Sequence, residues 1–262
     1  MAIKISADLI TVSSSLITVR SETTGYDRGN VNDVWHTKRR FRAAAIHNAP
    51  KWPLMSFDMG SHQTVNAVYL ADVNFDTIKI VGSCSARSTD WSGSTYSTTN
   101  ITVMQNKWTG RYQIWIDTTG FDYRHLGLIV NTSNVVSGSA TAWEVGSIAI
   151  MDGVTEFAEN PMFGIEQETV QPYKDVGITG RVSLGEPRWQ GKLPFGVMTT
   201  DEQESAQIFN QIDMGSPLVY YENNGNTAHA YICRKNRNYS GKIITNNLVS
   251  GSIIELEELV SE

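Results

Sequence analysis

Chemistry in this sequence would have to come from few residues. The five histidines, His36, His47, His62, His125 and His229, never stand three or four positions apart, the spacing that puts two ligands on one helix face. Cys84 and Cys233 are distant from each other and match no metal-ligand spacing. They read as two buried thiols, with one disulfide as the alternative. Asp72-Val73-Asn74-Phe75-Asp76 opens like a calcium loop, but Thr77 replaces the turn glycine and Ser83 the bidentate glutamate. Phosphate-binding glycine loops, nucleophile elbows and H-E-x-x-H are absent. A glycosidase needs two convergent carboxylates, and no pair stands out. Glu255, Glu257 and Glu258 accompany Ile254, Leu256 and Leu259, as in a strand with its acids in water. No catalytic, cofactor-binding or metal-ligating set is expected, and the chain reads as non-enzymatic. His125, inside a strand pattern, reads as a structural residue.

Binding is the chemistry left over. Among seven tryptophans, Trp115 and Trp143 fall in or beside strand patterns and are expected in a core. Trp35, Trp52 and Trp189 carry no assigned role. Trp91 and Trp108 fall in or near loops, and with Tyr96 they are the candidate ligand or interface aromatics, burial under the loop being the alternative. Lys38-Arg39-Arg40 with Arg42 is a short basic run, but the net charge is −6. That balance opposes nucleic-acid binding and favours a solvated strand face or an acidic partner. No stretch approaches the roughly 20 apolar residues of a membrane helix, so no membrane insertion is expected. The opening MAIKISADLITV alternates instead of forming a signal-peptide core, which implies folding in a cytoplasm.

The elements that would position these residues are mostly strands. Charged residues make up 18% of the chain, and Ser, Thr, Asn and Gly fill the space, a composition suited to turns between β-branched and aromatic strands. Alternating runs at Ile3–Ile10, Leu16–Arg20, Ser56–Met59, Val65–Leu70, Thr77–Val81, Tyr112–Ile116, His125–Val130 and Val145–Ile150 are separated by turn residues such as Gly60-Ser61 and Thr118-Thr119-Gly120. Short strands at such spacing predict an all-β sandwich or barrel. The strongest helix signal is Thr199–Asp213. Thr200 with Gln203 fits a capping box, Ala206, Phe209 and Ile212 share a face, and Gly215 ends it. Strands Leu218–Tyr221 and Thr227–Arg234 follow, joined through Asn223-Asn224-Gly225, then strands near Lys242–Thr245 and Ser252–Val260.

Within residues 30–152, Phe57-Asp58-Met59-Gly60-Ser61 followed by Thr64-Val65-Asn66-Ala67-Val68-Tyr69-Leu70 resembles the strand–turn–strand unit of galactose-binding-like (discoidin-type) jelly rolls found in phage tail proteins. Asp58 and Gly60 would define its turn: Asp58 binding nearby backbone, Gly60 allowing the bend. Arg40-Phe41-Arg42-Ala43, Thr77-Ile78-Lys79-Ile80, Asp90-Trp91, Tyr123–Val130 and Trp143–Ile150 resemble further family pieces in the same order. Residues 180–262 more faintly resemble C-terminal parts of tail-tip and baseplate subunits. The expected organisation is N-terminal strands or an arm over 1–30, a galactose-binding-like β-sandwich over 31–152, a linker over 153–179 and a C-terminal α+β assembly domain over 180–262.

What the resemblance implies is a structural virion protein of a tailed phage, at the tail tip or baseplate, assembled in the bacterial host cytoplasm. Its partners would be other tail subunits and its own copies in a homo-oligomeric ring. A carbohydrate-binding module that recognises a host surface glycan is the alternative, and a head decoration or head–tail connector protein the second. Met1–Arg20 and Ile253–Val260 are the candidates for strand pairing between subunits, pairing inside the protomer being the competing reading.

Overall fold

The structure is a computed structural model that describes residues 2–32, 40–46, 51–85, 90–130, 132–136, 141–157, 166–170, 173–176, 180–183, 188–223, 228–245 and 248–259. In chain order its strands are β1 (Ala2–Leu9), β2 (Ile17–Val19), β3 (Phe41–Arg42), β4 (Met55–Ala71), β5 (Thr77–Ser83) and β6 (Tyr96–Ser97). Next come β7 (Ile101–Thr102), β8 (Met104–Gln105), β9 (Tyr112–Ile129), β10 (Glu144–Val145) and β11 (Ser147–Phe157). Then follow β12 (Glu166–Val170), β13 (Tyr173–Val176), β14 (Gly180–Ser183), β15 (Arg188–Pro194) and β16 (Val197–Thr199). The last are β17 (Leu218–Asn223), β18 (Ala228–Lys235), β19 (Gly241–Thr245), β20 (Leu248–Gly251) and β21 (Ile253–Glu258). The fold is mainly β with antiparallel sheets, as the sequence pattern implied.

Two units emerge. A sandwich unit holds residues 8–106 and 110–153, and a C-terminal unit holds 1–7, 107–109 and 154–262. This grouping differs from the expected arm and linker. β1 pairs with β17 from Ala2↔Asn223 to Ser6↔Val219, because Ile3 and Ile5 complete an apolar row. Glu166–Val170, inside the expected linker, is a strand paired with β15.

In the sandwich unit the main sheet runs β11–β4–β9–β5–β6, with β2 on β4, β7 on β5 and β8 on β9; β3 and β10 pair separately. β4 and β9 pair from Met55↔Leu128 to Ala71↔Gln113, with register shifts between Asp58 and Gln63 and between Val65 and Ala67. The two expected turns fall at these shifts. Gly60 and Gly120 have φ of +79° and +81°, a region that only glycine enters at little cost. They lie inside two long bent strands, as bulges, and not at hairpin tips. The bends let both halves feed one core: Phe57 and Leu126 from one side, Val68 and Ile116 from the other. Strands that bend at bulges are how sheets turn corners.

Trp143 is buried, its ring edge-on to Phe75 at 5.9 Å. Trp115, expected in the core, is only half-buried, and its indole N–H donates to Asp117 at 3.0 Å. The calcium-like run ties loops together. Asn74 donates to the Ala142 carbonyl at 2.8 Å and accepts from the Glu144 N–H at 2.7 Å. Asp72 lies 3.8 Å from Arg111. Of the basic run, Arg40 and Arg42 flank Glu144 at 3.7 and 3.6 Å. Lys38, Arg39, Trp35, His36, His47 and the Asn224-Gly225 turn lie outside the described residues. Both cysteines are free; Cys233 is buried, but Cys84 is exposed, against expectation.

In the C-terminal unit the sheet order is β12–β15–β21–β18–β17–β1, beside the pair β13–β14 and a three-stranded sheet β16–β20–β19. The helix signal becomes two short pieces, α1 (Thr200–Ala206) and α2 (Ile208–Gln211). The capping box is one residue earlier than expected. The Glu202 N–H donates to the Thr199 hydroxyl, and the Thr199 N–H donates to the Glu202 carboxylate. Ala206, Phe209 and Ile212 are buried as their spacing predicts. β21 is an interior strand, paired with β15 on one side and β18 on the other.

Candidate functional site

Strand register assembles a polar row on the sandwich unit. Asp58 on β4 is opposite His125 on β9, and His125 is opposite Ser83 on β5. Asp58 begins the first bulge, and its Oδ1 accepts the Gly60 N–H at 2.9 Å. The Arg124 guanidinium then grips the same carboxylate twice, Nε to Oδ1 at 2.7 Å and Nη2 to Oδ2 at 2.8 Å. His125 Nδ1 lies 3.8 Å from Asp58 Oδ1. Ser83 donates to the Ser85 carbonyl at 3.0 Å.

The ion pair is accessible: the Arg124 side chain is 43% exposed and that of Asp58 24%. The Arg124 guanidinium, aided by the Gly60 N–H, holds the Asp58 carboxyl down at about 2. Burial pushes the His125 imidazole below its ordinary value, Asp58 opposing that shift and Arg124 adding to it. A carboxyl held so low stays ionised at neutral pH and is mismatched to proton transfer there. What the row offers is a fixed acceptor beside a planar donor fork. Of the five guanidinium N–H groups, only two are committed to the Asp58 fork.

An aromatic cluster occupies neighbouring positions of the same strands, on the face that carries Leu126 and not on the face of the row. Tyr96 on β6 is opposite Gly82. Its ring meets Phe121 edge-on at 5.3 Å and Tyr123 at 6.1 Å. Gly82 makes the cluster fit, since a Cβ there would come within 2.7 Å of the Tyr123 ring and 2.8 Å of the Phe121 ring. Tyr96 and Tyr123 remain half-buried.

The three candidate aromatics do not form one set. Trp91 is only 2% exposed. It lies against Gly127, where a Cβ would reach 3.2 Å from its ring, and packs with Val81 and Ile129. Its indole N–H finds no acceptor. Burial beneath the loop therefore removes it from stacking on a ligand. Trp108 is 43% exposed but groups with the C-terminal unit, where its carbonyl accepts from Thr169 at 3.2 Å. Tyr96 is opposite Gly82, the strand neighbour of Ser83, and its ring packs with Phe121 and Tyr123. Asp58 and Gly60, expected to define a turn, form a bulge within β4, and nothing in the sequence pointed to Arg124 as the partner of Asp58. No local signal marks that pair, because the two are joined only by the pairing of β4 with β9.

A second polar–aromatic cluster, in the C-terminal unit, is closed. Trp189 stacks on Tyr231 at 4.2 Å and on Tyr220 at 5.3 Å. Gly191 gives it room, as a Cβ there would be 2.3 Å from the indole. The Trp189 indole N–H donates to Gln167 at 3.1 Å, and Gln167 donates to Glu222 at 2.8 Å. The Tyr220 hydroxyl donates to Glu222 at 2.9 Å. On the outer side of the same sheet is a cavity of about 290 Å³ edged by Glu166, Glu168, Gln190, Lys192, Asn236 and Glu255. Among the described residues, no group of three His, Cys, Asp or Glu side chains is placed to hold a metal ion.

No protein family and no curated protein matches the chain. Solved structures do. Chitosan-binding module 1 of a chitosanase/glucanase from Paenibacillus sp. IK-5 is 17% identical over 55% of this chain and 97% of its own, with a TM-score of 0.36. A module of a family 31 glycoside hydrolase from Clostridium perfringens is 12% identical over 55% of this chain and 96% of its own, TM-score 0.38. A family 32 carbohydrate-binding module from C. perfringens, in complex with galactose, is 10% identical over 56% and 98%, TM-score 0.37.

Proposed function

We propose that the sandwich unit is a carbohydrate-binding module whose ligand rests on Asp58, Arg124 and His125. The observation that carries this reading is the accessible bidentate pair of Asp58 and Arg124. It presents an acceptor and donors side by side, as two neighbouring sugar hydroxyls would require. Sugar sites need such convergent polar groups. The test is binding of the full chain to immobilised galactose and to chitosan oligomers, the sugars named for two of the solved modules. Arg124→Gln and Asp58→Asn are expected to abolish retention while the fold persists. Retention unchanged in both variants contradicts the reading.

A second reading keeps the protein as an assembly subunit of a tailed-phage tail. It is supported by the ordered sequence resemblance and by the edge of β19, which no strand covers among the described residues. The terminal strands first considered for that task are used inside the protomer. Labelling of phage particles with an antibody to this protein, followed by imaging, tests it: signal at the tail tip supports it, and signal on the head or none at all opposes it.

A further inference from the structure

The three-stranded sheet β16–β20–β19 ends abruptly. Among the described residues, no strand pairs with the outer side of β19, and every one of its residues, Gly241–Thr245, is exposed. Register places Met198, Val249 and Ile243 in one row across the three strands. Met198 and Val249 are buried, whereas Ile243 is 74% exposed. The row therefore belongs to the core side of the sheet and runs out past its cover. Ile244, which the register shift leaves without a partner in β20, is a further 52% exposed. Edge strands are ordinarily blunted by charges or proline, and here the one charge within the strand is Lys242.

We infer that β19 pairs antiparallel with β19 of a second copy of this chain, about a two-fold axis at Ile243. This goes beyond the glycan reading and does not depend on it. The strand's own pattern selects the occupant. In this register Ile243 faces its copy and extends the Met198–Val249–Ile243 row into the second molecule, so both rows end covered. Lys242 comes opposite Ile244 of the other copy, where its methylene stem covers the isoleucine and the two ammonium groups avoid each other. Gly241 comes opposite Thr245. Two three-stranded sheets become one of six strands, and an isologous contact closes the assembly as a dimer. The bulge at Ile244 limits the ladder to a short stretch, so the pairing is expected to be reversible.

Sedimentation of the full chain from micromolar to sub-millimolar concentration tests this. The wild type is expected to show a monomer–dimer equilibrium. Ile243→Lys with Ile244→Lys is expected to raise the dissociation constant by about tenfold or more with an unchanged circular dichroism spectrum; both residues are exposed, so folding is retained. In a Cys84→Ser background, Ile243→Cys is expected to form a disulfide-linked dimer on mild oxidation, since directly opposed residues lie within disulfide reach. Thr245→Cys, which faces Gly241, is expected to form little. A wild type that stays monomeric throughout overturns the proposal. So does a dimer that survives the double lysine variant, or one that cross-links equally well at position 245.

Discussion

In the C-terminal unit, Trp189, Tyr220 and Tyr231 stack beside Gln167 and Glu222, and the indole N–H, the Tyr220 hydroxyl and the Gln167 amide each have a partner inside the protein. In the sandwich unit, Tyr96, Tyr123 and Phe121 gather in one cluster and Asp58 pairs with Arg124, but that ion pair and two of the rings reach the surface. The same kinds of side chain make a sealed core in one place and solvent-accessible groups in the other. Composition does not separate the two cases. What separates them is whether the polar ends are closed off from solvent: the buried ones are stable only because each is paired, whereas the Asp58–Arg124 pair also faces water.

The comparison is tested most severely by Trp189→Ala. Removing a buried stacked indole is expected to cost about 3–5 kcal/mol, read from the urea midpoint of the transition that reports the C-terminal unit. A loss under 1 kcal/mol would mean the stack is not a core.

Next in size is the pair Gly191→Ala and Gly82→Ala. Each new methyl group meets a ring, at 2.3 Å for Trp189 and 2.7 Å for Tyr123. Overpacking typically costs about 1–3 kcal/mol. The clamped indole cannot retreat, whereas of the two rings over Gly82 the half-buried Tyr123 can swing outward and leave only Phe121 to shift, so Gly191→Ala is expected to be the costlier. Thermal unfolding of both variants orders them, and the reverse order would break the contrast between closed and open clusters.

Arg124→Gln is expected to change stability by less than about 1 kcal/mol, as for other exposed ion pairs, while removing sugar binding. Fluorescence-monitored denaturation together with retention on the sugar resins checks both halves.

The smallest effect is in acid. The Asp58 carboxyl is held at about 2, below its usual 3.8. A depressed carboxyl pKa means the unfolded chain takes up the proton first. The pair's contribution to stability is therefore complete above about pH 4–5 and is lost as pH falls toward 2. Asp58→Asn is expected to flatten that part of the stability–pH curve, and a curve identical to wild type would place the low pKa elsewhere.

Much of the fold was legible because its signals are local. The alternating runs Thr77–Val81 and Val145–Ile150 became strands, and the spacing of Ala206, Phe209 and Ile212 gave a buried face. The signals that misled were also local. Gly60 and Gly120 look the same in sequence whether they end a hairpin or bend a continuing strand. The distinction depends on β4 and β9 staying paired on both sides of each glycine, which is a non-local fact. Thr199 and Thr200 compete for one cap, and Glu202 at N3 of Thr199 decides it. The site was less legible. Tyr96 packs half-buried against Phe121 and Tyr123, and Trp91 was drawn into the sheet by the space over Gly127. Arg124 found Asp58 across two strands, a partnership that neither neighbourhood announces.

The most direct test is ¹H–¹⁵N chemical-shift mapping of the full chain titrated with galactose and with chitosan oligomers. The account predicts saturable shifts centred on Ser83, Arg124 and His125, absent in Arg124→Gln. No shifts with either sugar, or shifts centred on Trp108, would contradict it.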